Sequence, residues 1–136
     1  MSDIERTAPL ITEEMIENVV RLFYSRVRTD ERLGPIFTSA IGDDWEPHLR
    51  VLMDFWSSLL LQSGRYGGRP MPKHIALRDR VRPEDFDIWL GLFRTAAVEA
   101  AGPEAARLFI DRAERVAQSF RLTMFFDPAT IAPKRG

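Results

Sequence analysis

Apolar residues recur along this chain at spacings of three and four, and nowhere in sustained alternation. Met15, Val19, Leu22, Phe23 and Val27 form one stripe between residues 12 and 28, and Leu49, Leu52, Met53, Trp56, Leu59 and Leu60 form a second up to about residue 62. Phe86, Trp89, Leu90, Phe93, Ala97 and Val98 make a third. Ala106, Phe109, Ile110, Ala113, Val116, Ala117 and Phe120 make a fourth. A period near 3.6 places each set on one side of a helix, whereas a strand facing a core would alternate at two. The pattern predicts an all-α fold of four principal helices, each burying its stripe against the others.

Punctuation residues fit the same division. Thr12 is placed to cap the first helix, with Glu13 and Glu14 favouring its positive end. "TDERLGPIF" should interrupt the pattern, because Gly34-Pro35 cannot continue a helix. Asp43 or Asp44 can cap the second helix. Pro83 suits the first position of the third, with Glu84 and Asp85 in its first turn; Gly102 ends it and Pro103 opens the fourth. The length of 136 residues suits one domain, 1–136, with a folded core at about 11–125 and a C-terminal tail at 126–136.

Several function classes drop out on composition. The net charge is −1 and the pI about 6.1, so no overall basic field points to nucleic acid. There is no cysteine, which excludes disulfides, thiolate metal sites and cysteine nucleophiles. "MSDIERTAPL" has no signal-peptide pattern and no apolar run approaches a membrane span, so a cytoplasmic protein is expected.

One connection stands apart. "GRYGGRPMPKHIAL", residues 64–77, resists regular structure and carries His74, one of two histidines in the chain. Arg65, Arg69, Lys73, Arg78, Arg80 and Arg82 surround it against a single acid, Asp79. Such a run is either a solvated surface or a dock for a small anion such as a pair of carboxylates. Met71, Ile75 and Leu77 could wall an apolar cavity beside the imidazole, which is what haem iron needs of its protein ligand. Two histidines without cysteine are too few for a closed zinc site, and no H-E-x-x-H spacing exists. Tyr24 and Trp89 fall on or beside apolar stripes, yet each carries a donor that seeks a partner when buried. A small polar ligand inside the core would provide one.

"FYSRVRTDERLGPIF", "WEPHLRVLMDFWSSLLLQSGRYGGRPMPKHIAL" and "FDIWLGLF" stand here in an order and spacing that resemble the truncated, two-over-two haemoglobins, specifically their third group. The resemblance covers about residues 11–122. It implies a globin-like sandwich of two helix pairs around haem b. Carried over by position, His74 would be the proximal iron ligand. Tyr24, His48, Leu52 and Trp89 would line the distal side, and Phe37 would pack on the haem face. Phe55, Trp56, Tyr66, Arg69, Met71, Lys73 and Leu77 would contact the cofactor, with bases of the patch pairing to its propionates.

The function implied is reversible binding of O2, with NO, CO or cyanide as other ligands, in the manner of oxygen transport. Redox catalysis at the same iron, as an NO dioxygenase or a peroxidase-like detoxifier, is the alternative. It would need an unidentified reductase, since the chain carries no flavin domain. A haem-free helical adaptor is a third class, and the acidic first helix argues against one that binds DNA. A monomer is expected, with neither a nucleic-acid nor a membrane partner.

Overall fold

The computed structural model describes residues 10–66 and 80–125, with Phe125 described by its backbone alone. The elements are α1 (Glu13–Thr29), α2 (Leu33–Ile41), α3 (Glu46–Leu61) and a helical run Asp85–Phe125. Gly102, at φ 86° and ψ 158°, breaks that run into α4 (residues 85–101) and α5 (residues 103–125). This backbone region is open essentially to glycine alone, so Gly102 followed by Pro103 makes the break a property of the sequence. Among the described residues there is no strand, and no helix is long and apolar enough to cross a membrane.

α1 is the axis of the bundle and packs on α2, on α3 and on the α4–α5 run. Its first turn is held as expected: the Thr12 hydroxyl accepts from the Met15 N–H at 3.1 Å. Glu13 and Glu14 lie at its positive end and Arg26 and Arg28 at its negative end. Ile16, Val19, Val20, Phe23, Tyr24 and Val27 are buried. Opposite them are Phe93, Ala96 and Ala97 of α4 and Ala106, Phe109 and Ala113 of α5, all in the same buried cluster. Small alanines at the crossings let helix axes approach closely, while the phenylalanines fill the space beside them.

The sequence expectation fails at one element and shifts at two. "TDERLGPIF" was expected to be a break, but the break covers only residues 30–32 and α2 follows directly. Pro35 is the third residue of α2, inside the first turn, where a missing N–H costs no intrahelical bond. Asp30 organises the start: its carboxylate accepts from the N–H groups of Arg32 at 2.9 Å and Leu33 at 2.8 Å. α3 begins at Glu46, later than Asp43 or Asp44 would set it, although the Asp44 carboxylate does accept from the Glu46 N–H at 3.3 Å. Pro83 opens a tighter turn, with i→i+3 bonds from the N–H groups of Phe86 and Asp87, so α4 proper starts at Asp85. The tail expected at 126–136 lies outside the described residues.

Two polar clamps hold the ends of the connection between α3 and α4. On the exit side, Asp85, only 3% exposed, accepts from Arg32 Nε at 2.8 Å and Nη2 at 2.9 Å, and from the Arg82 N–H at 2.8 Å. Arg32 also donates to the Arg80 carbonyl at 3.2 Å. Burial pushes the Asp85 carboxyl up, but the bonds from Arg32 and Arg82 outweigh it and hold it below the usual range. On the entry side, the fully buried Ser57 hydroxyl donates to Glu13 at 2.7 Å and pairs with Ser63 at 2.8 Å.

Candidate functional site

Consecutive residues on a helix point about 100° apart, so Phe23 and Tyr24 address different neighbours. Phe23 turns toward α4: its ring lies 5.3 Å from Trp89 and 5.0 Å from Phe93, edge-on to both. Tyr24 turns toward α2 and α3. Its ring centroid is 6.0 Å from Phe37, 6.5 Å from Trp45 and 6.4 Å from His48. Phe23 and Tyr24 themselves meet edge-on at 4.5 Å. Four helices therefore bring their aromatic side chains around one phenol.

That phenol is buried. Burial pushes its ionisation far above the ordinary value for tyrosine, while a side-chain hydrogen bond with Trp89 pulls the other way. The hydroxyl consequently keeps its proton at any physiological pH and remains a donor. The Trp89 indole can only donate. In that bond the indole therefore gives its proton to the phenol oxygen, and the Tyr24 O–H is left as the donor within an otherwise apolar, aromatic surround, where hydrogen bonds to a developing negative charge are stronger than in water.

His48 is the third residue of α3, half-buried, with its ring perpendicular to Tyr24 at 89°. Leu52, one turn further, is half-buried against the core. Tyr24 thus meets Phe37 and His48 directly, and the series of ring contacts reaches Trp89 from it through Phe23. Phe55, Trp56 and Tyr66 form a second, contiguous group. Phe55 meets Trp56 at 5.9 Å and Tyr66 at 5.3 Å, and Trp56 stacks on Phe93 at 5.2 Å. His74, Arg69, Met71, Lys73 and Leu77 lie outside the described residues.

Two bases of the 65–82 run are engaged by the chain itself. Arg65 pairs with Glu13 at 3.3 Å, and Arg80 Nη1 donates to the Ser39 hydroxyl at 2.7 Å. Trp45 and Phe23 join the cluster without having been assigned to it. Trp45 is buried, stacks on Phe37 at 6.4 Å and donates from Nε1 to the Gly42 carbonyl at 3.0 Å. The available signal was its position one turn before His48. Phe23 was legible only as one residue of an apolar stripe.

The architecture matches a solved structure. The crystal structure of a group III truncated haemoglobin from Campylobacter jejuni superimposes with a TM-score of 0.81 at 34% identity, covering 86% of this chain and 94% of that one. The fold is globin-like. At the sequence level, the group 3 truncated haemoglobin ctb of the same organism is 35% identical over 118 residues, 85% of this chain and 92% of that protein. The group 1 truncated haemoglobin GlbN of Nostoc sp. is 32% identical over 97 residues, covering 71% of this chain and 80% of that protein. No family model matches the chain. On this similarity the chain belongs to the truncated haemoglobin family.

Proposed function

We propose that the chain is a haem-b protein of the third truncated-haemoglobin group, ligating iron through His74 and reversibly binding O2 or another diatomic such as NO or CO. The observation that carries this reading is the buried Tyr24 hydroxyl, in contact with the Trp89 indole inside an aromatic cluster of a globin-like fold. A flat apolar macrocycle with a small polar ligand on one face needs such a surround: aromatic walls for the ring and a few fixed donors for the ligand. The residues present fit that group.

Haem iron would provide the reversible affinity for a diatomic. The chain's own part is to hold the protonated Tyr24 hydroxyl, braced by the Trp89 N–H, where the ligand gathers negative charge and to keep that spot dry. Each such bond contributes on the order of 1–3 kcal/mol. Tyr24→Phe and Trp89→Phe should therefore each raise the O2 dissociation rate by roughly five- to hundredfold. The half-buried His48 sits at the start of α3, edge-on to Tyr24, which suits a gate between pocket and solvent.

The deciding experiment is an absorption spectrum of the haem-supplied protein in its ferric, ferrous and oxygenated states. An intense Soret band is expected, and its absence would refute the reading. His74→Gly should lose haem or take up exogenous imidazole; an unchanged spectrum would mean that another residue is the ligand. Unchanged O2 dissociation rates in both distal variants would refute the hydrogen-bonding role.

A further inference from the structure

We propose that Tyr66 is the surface end of an aromatic electron relay, at which the chain draws electrons from small phenols to reduce hydrogen peroxide. The inference rests on the haem reading above.

Five side chains form an unbroken series of ring contacts. Trp89 and Trp56 both stack on Phe93, at 5.8 Å and 5.2 Å, each only 13° from parallel with it. Trp56 meets Phe55 edge-on at 5.9 Å, and Phe55 meets Tyr66 edge-on at 5.3 Å. The inner end reaches the aromatic cluster around Tyr24, because Trp89 touches Phe23 and Phe23 touches Tyr24. All these separations fall in the range of direct aromatic contact.

Their chemical order is the informative part. Trp89, Trp56 and Tyr66 can each lose one electron readily; Phe93 and Phe55 cannot, and stand between them. Oxidisable rings thus alternate with bridging ones from that cluster outward. A core needs only apolar volume, and leucine or phenylalanine at position 56 would supply it. Volume alone does not require the series to end on a phenol that reaches solvent. Tyr66 is half-buried, whereas Tyr24, the other of the chain's two tyrosines, is buried. Tyr66 is also held in place: its N–H donates to the Ser58 hydroxyl at 2.8 Å.

The electron balance closes without an external reductase. One hydrogen peroxide takes up two electrons and two protons and leaves as two waters. Both electrons reach the haem site of one chain through its own Tyr66. That Tyr66 gives the first, releasing its phenolic proton to solvent, is restored at the surface by an electron and a proton from a small phenol or from Tyr66 of a second chain, and then gives the second in the same way. Where the restoring group is the second chain's Tyr66, the two phenoxyl radicals join by a carbon–carbon bond, so that one peroxide and two tyrosines yield two waters and one dityrosine. Where small phenols restore Tyr66 after each step, two phenols each lose one electron and one proton per peroxide.

The test uses the full chain, haem-loaded and ferric, mixed with stoichiometric hydrogen peroxide and no reductant. Expected are a tyrosyl signal by freeze-quench electron paramagnetic resonance and a covalent dimer, fluorescent as dityrosine, whose cross-link maps to Tyr66. Tyr66→Phe should abolish both when scored per haem bound. Trp56→Phe should reduce the cross-link yield several-fold at equal haem content. If that core variant loses haem, Phe55→Leu interrupts the same path and should do likewise. Added phenol should suppress the dimer while being oxidised itself. A cross-link at Tyr24, peroxide consumption that leaves Tyr66 intact, or a Tyr66 yield indifferent to interruption of the path would overturn the relay alone. A chain that takes up no haem before peroxide is added refutes the haem reading, and the relay with it.

Discussion

Gly34→Ala and Gly91→Ala are the same chemical change in two helices, and the structure gives them opposite signs. Gly34 is the second residue of α2, buried where α2 turns back against the end of α1. A Cβ there would lie 2.7 Å from the Arg28 carbonyl oxygen, 3.3 Å from the Arg28 carbonyl carbon and 3.4 Å from the Val27 oxygen. These are backbone atoms of the last turn of α1, so no side chain can swing aside. α2 cannot retreat freely either. Asp30 grips its first N–H groups, and Leu33 and Ile36 are buried beneath it. Overpacking of this kind costs about 1–3 kcal/mol. Alanine recovers part of that through helix propensity, at most about 1 kcal/mol and less in a first turn. The net expectation is a loss of about 1–2 kcal/mol. Gly91 lies exposed in α4, with no atom within 4 Å of the added methyl. Only the propensity gain remains there, about 0.5–1 kcal/mol of stabilisation. Urea unfolding followed by far-ultraviolet circular dichroism measures both. The midpoints should move in opposite directions with unchanged slopes. A Gly34→Ala chain as stable as the parent would refute the close approach of α1 and α2, and with it the placement of Phe37 against Tyr24.

Two further perturbations test the elements that frame the site. Thr12→Ala removes the acceptor of the Met15 N–H and should cost about 1 kcal/mol, read in the same unfolding assay, while Thr12→Ser should restore most of it. Asp85 is held below its usual range when folded, so its contribution is complete above the ordinary aspartate value of about 3.9 and is lost as pH falls through the lowered one. Parent minus Asp85→Asn stability should therefore be level from neutral pH down to about pH 5 and shrink in stronger acid. A difference that stays constant down to pH 3 would mean the Arg32 contact does not stabilise the charged carboxylate.

The four stripes were legible because periodicity is local: Val19, Phe23 and Val27 are buried for the same reason that they are spaced by four. α2 was not legible, because the meaning of Pro35 depends on register. In a helix interior it breaks the chain; three residues in, it costs nothing, and the deciding signal was Asp30, whose side chain fixes where the first turn begins. The site divides along the same line. Tyr24 and Trp89 could be singled out because a donor on an apolar stripe is anomalous wherever the stripe packs. Trp45 belongs to no stripe, and its burial follows from a turn that offers it the Gly42 carbonyl and from Phe37 arriving on another helix. Arg65 and Arg80 show the limit from the other side. In sequence they belong to one basic run, which suggests a shared anion; in the fold each finds a different partner, Glu13 at the start of α1 and Ser39 in α2. Charge density along a chain is therefore weak evidence for a binding patch where helix ends with polar groups pack against it.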